Sequence, residues 1–372
     1  MEKKTDRIIS LDVFRGITIA AMVVVNNQGD WGHVYPALRH ASWNGVSGAD
    51  FVFPFFLFAV GAALYASWGT RNDSSNRPRS ILPAAARRTA ILIGLGLFLN
   101  AFPLFDVSTL RIPGVLQRIG LCYFSCLCIV LFVPRRAHAA AALFILALYG
   151  AILLFVTPGG IGRGSLDPCC NLPGFVDSTL FPGHTYEHAP VPGFDPEGLL
   201  STLPAVASTL AGFLALRWIS GRNSVRDAAQ LAAAGAALAA SGLLIGRIIP
   251  MNKQLWTPSY ALFMAGAACA FFFILYAVHD LRGYRAARAP FVALGRNAIL
   301  LYLFSSLAGK AMVTVAVPFR GRPVPVKAAL HAILFSSWLD PFAASLVYSL
   351  CFLAVWTAVV YLLYRKRIFI TI

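Results

Sequence analysis

Asp50-Phe51-Val52-Phe53-Pro54-Phe55-Phe56-Leu57-Phe58-Ala59-Val60-Gly61 decides the fold class. After Asp50 no charged residue appears until Arg71. That is the length, about 20 residues, that a helix needs to cross the hydrocarbon of a bilayer. A second apolar span runs from Val13 to Val25 and ends in Asn26-Asn27. Between the two lies a polar hairpin, Arg39-His40-Ala41-Ser42-Trp43-Asn44-Gly45. Short tethers therefore hold a titratable imidazole and several amides at a membrane–water boundary.

The pattern continues outward from there. Of 372 residues, 58% are hydrophobic and 12% charged, and the mean hydropathy is +0.70. A soluble domain does not sustain that balance over such a length. The expected fold is an all-α polytopic transmembrane helix bundle of about ten helices. They fall near 12–29, 49–69, 84–104, 114–134, 138–157, 202–220, 228–248, 259–279, 290–314 and 342–364, with a further half-helix lying at the surface over 325–338. Residues 1–372 read as a single membrane domain whose one long connection, about 158–201, is rich in glycine and proline.

The net charge of +16 is distributed by topology and does not point to nucleic acid. Basic clusters stand at Lys3, Lys4 and Arg7; at Arg71, Arg77, Arg79, Arg87 and Arg88; at Arg135-Arg136; at Arg217, Arg222 and Arg226; at Arg282, Arg285 and Arg288; and at Arg365-Lys366-Arg367. Every second connection is basic, which places both termini in the cytoplasm and the 158–201 loop outside, in the periplasm. Asp12 and Arg15 interrupt what would otherwise be a signal-peptide core, so the first helix is expected to stay as an anchor. The expected setting is a bacterial inner membrane, which the chain crosses several times.

Several residues carry chemistry in this setting. Histidine titrates near neutrality, so His40 suits proton transfer at the interface, with an ordinary interfacial histidine beside an anchoring Trp43 as the plain alternative. Asp50 either orients His40, holds an acceptor amine, or is a buried partner for an arginine. Asp12 and Arg15 share a helical face near the cytoplasmic end and form an ion pair or admit phosphates. Arg118 lies near the outer end of its helix, and Arg296-Asn297 nearer the cytoplasmic end of theirs. Asn252, Lys253 and Trp256 stand on the outer side, as do Trp43 and Asn44, suited to hydrogen bonding and stacking on a sugar. Asp167, Asp177, Glu187, Asp195 and Glu197 make the outer loop an acidic cap that would attract a cation, or else a packed cover. His184-Thr185-Tyr186-Glu187-His188 has zinc-like spacing only if helical, and its proline and glycine neighbours argue against that, so no metal is expected. Cys122, Cys126, Cys128, Cys269 and Cys351 fall in spans and read as packing. Cys169-Cys170 falls in the outer loop, where neighbours can pair only in a strained geometry. No phosphate-binding glycine loop of the P-loop or Rossmann type is present.

An ordered set of motifs narrows the reading. Ile9-Ser10-Leu11-Asp12-Val13-Phe14-Arg15-Gly16, Val25-Asn26, His40-Ala41-Ser42-Trp43-Asn44-Gly45 and Asp50-Phe51-Val52-Phe53-Pro54-Phe55-Phe56 resemble the opening of the heparan-α-glucosaminide N-acetyltransferase family. Arg111 to Gly120, Asn252-Lys253-Gln254-Leu255-Trp256-Thr257, Pro290-Phe291 and Gly295-Arg296-Asn297-Ala298 continue the match in the same order. The resemblance implies a membrane enzyme that takes acetyl from acetyl-CoA, as co-substrate, and delivers it across the membrane to an amino sugar. It places His40 and Asn26 on the family's catalytic histidine and asparagine, with Asp50 beside them. On that reading Asp12, Arg15, Arg296 and Asn297 would meet the CoA moiety, Arg118 that moiety or else the substrate or Asp50, and Trp43, Asn44, Asn252, Lys253 and Trp256 the acceptor. The resemblance is compatible with a homodimer. Direct transfer and an acetyl-histidine intermediate both fit these residues, with direct transfer the simpler. A permease without covalent chemistry and an envelope polysaccharide O-acetyltransferase are the rival readings, separated from the first by CoA dependence and by acceptor profile.

Overall fold

The computed structural model describes residues 8–69, 78–159, 162–222 and 224–370. Of the basic clusters, Lys3, Lys4, Arg7, Arg71 and Arg77 lie outside the described residues, as does the side chain of Arg79. In chain order come α1 (Ile9–Asn26), α2 (Val52–Leu64), α3 (Pro78–Ala101), α4 (Val115–Phe132) and α5 (His138–Phe155). A small hairpin, β1 (Leu166–Asp167) and β2 (Cys170–Asn171), leads into α6 (Leu172–Leu180), α7 (Leu199–Ile219), α8 (Val225–Ile245) and α9 (Pro258–Tyr276). The remainder is α10 (Arg288–Arg296), α11 (Ala298–Thr314), the hairpin β3 (Ala316–Phe319) and β4 (Arg322–Pro325), α12 (Val326–Leu334) and α13 (Pro341–Arg365). The two hairpins are antiparallel, with Leu166 opposite Asn171 and Ala316 opposite Pro325.

Among the described residues, 9 helical segments are long and apolar enough to cross a membrane, or 10 if the bent pair α10–α11 counts as one span. The protein is an all-α, multi-pass membrane protein. Every one of the ten expected apolar runs is helical. The outward faces of α5, α8 and α13 carry large exposed apolar side chains such as Phe144, Leu244 and Val355. In water such faces would be an aggregation hazard, whereas lipid covers them.

Two boundaries differ from expectation, each for a remote reason. The ninth run is not one helix. It bends by 82° between α10 and α11, because Asn297 leaves helical geometry and is fully enclosed. Its Oδ1 accepts from Ile370 N at 3.1 Å and its Nδ2 donates to Ile368 O at 3.4 Å. An asparagine that serves a distant strand of backbone competes with the helix it sits in. Helix α7 begins at Leu199 because Asp177 Oδ1 accepts from Leu199 N at 3.1 Å, a cap supplied from another element. The long connection is not structureless: it holds β1, β2 and α6. The expected half-helix near 325–338 is α12.

The described residues divide into two compact units, those within 36–218 and 236–267, and those within 8–35, 219–235 and 268–370. In the first, Leu64, Ile81, Tyr123, Cys126, Leu127, Leu210 and Phe213 form a core. There α2 crosses α7 backbone to backbone. A Cβ on Gly61 would lie 1.7 Å from Thr209 O, and one on Gly212 would lie 1.9 Å from Phe58 O. Such close approach is how helices pack in lipid, where no hydrophobic drive separates helix from solvent. In the second unit α1 meets α10 in the same manner, at Gly16 against Phe291 O and Gly295 against Asp12 O, each 1.9 Å from a built Cβ. Phe335, Ala344 and Tyr348 form a smaller core there.

Candidate active site

The site is assembled within the first unit from the loop ahead of α2 and the turn ahead of α9. Ser47 and Asp50 start the helical turn Gly48–Phe51 that runs into α2, each capping the other's backbone. Asp50 Oδ2 accepts from Ser47 N at 2.9 Å, Ser47 Oγ at 2.9 Å and Ala41 N at 3.2 Å. Its other oxygen, Oδ1, lies 2.8 Å from His40 Nδ1. One carboxylate, 1% exposed, thus fixes both the helix start and the imidazole. Tyr260, on α9, donates its hydroxyl to Asp50 O at 2.6 Å and pins the same turn from below.

A carboxylate on Nδ1 holds the ring proton there and leaves Nε2 as the basic nitrogen. The His40 side chain is 46% exposed. Lys253 lies across the ring, its Nζ 3.0 Å from Nδ1 and 3.2 Å from Nε2, and 3.5 Å from Asp50 Oδ1. Burial lowers the Lys253 pKa, while Asp50 and Glu197 pull in the opposite direction without cancelling it.

The turn that presents Lys253 is tightly specified. Asn252 Oδ1 accepts from Leu255 N at 2.8 Å, and Thr257 N donates to Asn252 O at 3.1 Å. Trp256 sits at φ 51, a left-handed conformation that costs a bulky residue on the order of 1–3 kcal/mol. Its surroundings hold it there. The indole is fully enclosed, donating Nε1 to Ser208 Oγ at 3.1 Å, with its ring edge-on to Phe53 and Tyr260. Trp256 therefore departs from the expected sugar-stacking surface: its face is covered by protein, and it supports the turn. Asn252 Nδ2 donates to Asn44 Oδ1 at 3.2 Å, and Gly45 N to Met251 O at 2.8 Å. These bonds tie the two loops together. Trp43 Nε1 donates to Leu166 O at 2.8 Å and its ring meets Phe194 edge-on.

Arg118 is also in this unit and is 1% exposed. One guanidinium nitrogen, Nη2, donates to Gly198 O at 3.1 Å and to Ser201 Oγ, and the group lies 5.3 Å from the Trp256 ring. Its Nε and Nη1 have no hydrogen-bond partner among the described residues. Arg111 makes a double contact with Asp195, at 2.8 and 2.6 Å, and meets Glu197 Oε2 at 2.5 Å. It also stacks on Tyr186 at 4.5 Å. Three carboxylates of the outer loop's expected acidic cap are internal, Asp195 and Glu197 neutralising Arg111 and Asp177 buried where it caps α7, whereas Asp167 and Glu187 are exposed. Burial, with Asp195 nearby, pushes the Asp177 carboxyl up to about 7 against the Leu199 N–H. His184 lies in a turn, its Nδ1 2.8 Å from Leu110 O, and no group of metal-ligating side chains occurs among the described residues.

The second unit holds the other expected residues. Asn26 is the exposed last residue of α1. Asp12, Arg15, Arg296 and Asn297 gather where α1 crosses α10. Asp12 is buried and Arg15 half-buried, while the Arg296 guanidinium lies 3.3 Å from the Phe369 ring centre and 5.7 Å from that of Tyr364. Ser47, Tyr260 and Arg111 were not among the expected site residues. Ser47 carried a local signal, the Ser-x-x-Asp spacing of a reciprocal cap, and Arg111 opens one of the matched motifs.

These features define a membrane protein with a carboxylate-oriented histidine and an adjacent lysine in the loops ahead of two of its helices. Residues 7–159 match the family model described as heparan-alpha-glucosaminide N-acetyltransferase, catalytic. Over 98% of its length the chain is 28% identical to the human (Homo sapiens) heparan-alpha-glucosaminide N-acetyltransferase and 26% identical to the mouse (Mus musculus) protein. It spans 59% and 60% of those relatives, respectively. The resemblance read from the motifs is borne out along nearly the whole chain.

Proposed function

We propose that the protein is a membrane N-acetyltransferase that moves acetyl from acetyl-CoA to the amine of an amino sugar, with His40 as general base. The observation that carries this is the His40–Asp50 pair. It gives a half-exposed imidazole whose orientation is fixed by a buried carboxylate on Nδ1. His40 takes the proton from the amine as it attacks the thioester carbonyl, a service worth ~10²–10⁴-fold in rate. The imidazolium then returns that proton to the departing thiolate, aided by the neighbouring Lys253 cation, which also favours negative charge on the carbonyl oxygen. The role of Asn26 in polarising the carbonyl rests on the sequence motif. So does that of Asp12, Arg15, Arg296 and Asn297 toward CoA. Arg118, with two buried unpaired donors, and the Asn44–Asn252 pair are offered to the substrates. The proposal sets the protein in a bacterial inner membrane, with the acceptor on the periplasmic side; the alternation of basic connections supports that sidedness.

The test is acetyl transfer from labelled acetyl-CoA to glucosamine by the purified protein in lipid, for wild type and His40→Ala. Transfer lost with His40 is the expected result. Transfer that survives the substitution overturns the base assignment. A folded wild type that transfers to no amino sugar, but takes one up into vesicles, overturns the enzyme reading in favour of a permease.

A further inference from the structure

Two cysteines stand outside the membrane spans, and they are neighbours. Cys169 occupies the turn between β1 and β2, and Cys170 is the first residue of β2, paired with Asp167. Cys169 is exposed, Cys170 is half-buried, and their Sγ atoms are 3.0 Å apart. The hairpin that carries them is braced. Asn171 Nδ2 donates to Asp167 O at 2.8 Å and Pro168 O at 3.0 Å, and its Oδ1 caps α6 through Gly174 N at 2.8 Å. The other five cysteines lie in spans, where water-soluble oxidants do not reach them.

We infer that Cys169 and Cys170 form a reversible redox site, a vicinal dithiol that undergoes exchange with small disulfides. Cys169, the exposed thiol, attacks the disulfide R–S–S–R as its thiolate, forming a mixed disulfide and releasing one R–SH. Cys170, already within contact distance, displaces the second R–SH and closes the Cys169–Cys170 bond. Two cysteine thiols lose their hydrogens, one S–S bond forms, and the small disulfide is reduced to two thiols. Consecutive Cα atoms are about 3.8 Å apart, short of the usual disulfide range, so the bond is strained and readily reduced. That makes it suited to reversible modification rather than to holding the fold.

The hairpin is also an anchor for the candidate active site. Leu166 O, on β1, is the acceptor of the Trp43 indole N–H, and Trp43 stands in the same loop as His40. Closing the ring at the hairpin tip stiffens the strand that positions that loop. This inference does not depend on the acetyltransferase reading.

The experiment uses the full chain in lipid, treated with oxidised glutathione, alkylated with iodoacetamide and mapped by peptide mass spectrometry. The expected result is a 169–170 peptide lighter by two hydrogens and unalkylated, restored by dithiothreitol. Cys170→Ser should instead retain a stable glutathione adduct on Cys169. Phenylarsine oxide, which bridges two adjacent thiols, should block alkylation of the wild type at one equivalent and fail to do so in Cys170→Ser. Two alkylated cysteines after oxidation, a persistent adduct on wild type, or disulfide-linked dimers would each overturn the site. Hydrogen exchange of the amides at 41–45 should slow on oxidation, and unchanged exchange there overturns the link to the His40 loop.

Discussion

Asp50 divides its two oxygens between two tasks, and substitutions separate them. Asp50→Asn keeps the shape but offers His40 an amide, which neither stabilises the imidazolium nor fixes the tautomer. Acetyl transfer is expected to fall by ~10²–10⁴-fold, as when the carboxylate of a histidine-containing triad is replaced by its amide. The comparison is turnover at saturating acetyl-CoA and acceptor, with thermal stability recorded alongside. A variant within threefold of wild type would remove Asp50 from the mechanism. The pairing was half legible in the sequence. His40 and Asp50 stood out as polar residues tethered between apolar runs, but Lys253 was read as facing a sugar. Its place across the imidazole is set by the Asn252–Thr257 turn, more than 200 positions further along the chain, and no local pattern reports it. Trp256 misled for a related reason: aromatic residues at a membrane boundary resemble sugar platforms, yet this one is enclosed and braces the turn.

At the scale of elements, the outer loop and the helix crossings each make a measurable claim. Asp177 caps α7 with its carboxyl pushed up to about 7, against an ordinary value of 3.8. The folded state therefore holds a proton that the unfolded chain releases between those two values. Stability contributed by the neutral carboxyl is present at low pH and is lost as pH rises from about 4 toward 7. The melting temperature of wild type should fall across that window more than that of Asp177→Asn, which keeps the acceptor for Leu199 N and cannot ionise. Parallel pH profiles for the two proteins would refute the assignment. The glycine crossing of α2 and α7 has no such subtlety. A side chain at Gly61 or Gly212 meets backbone oxygen, so Gly61→Val should destabilise by about 1–3 kcal/mol or more. Gly94→Ala, with nothing within 4 Å of the added carbon, should be neutral or slightly stabilising because alanine is the better helix former. Equal melting temperatures in detergent for Gly61→Val and wild type would count against the crossing. The runs themselves were plain in the sequence because hydrophobicity alone specifies a span. The break at Asn297 and the start of α7 were not, since their partners lie 71 to 73 residues away in one case and 22 in the other.

For the whole molecule, charge distribution makes the strongest untested claim. Alternate connections are basic, so both ends of the chain should share the cytoplasmic side. Protease-cleavable tags at the two termini should be cut in inverted vesicles and protected in right-side-out ones. An impermeant maleimide should label Cys169 with the opposite sidedness. Tags cut on opposite sides would require an odd number of crossings, and the broken segment α10–α11 would be the first place to look, since its 82° bend allows it to enter and leave on one face. That bend also shows where composition stops being informative: a run of spanning length can be two short helices.

Because the carboxylate that steadies His40 is also the residue that starts α2, the imidazole is fastened to the rim of a lipid-embedded rod. A bilayer thinner than that rod would tilt it or draw its end inward, and the rim would move before any helix melted. Acyl-chain length of the surrounding lipid would then act as a dial on the proposed proton transfer, with the protein reading the thickness of its own solvent.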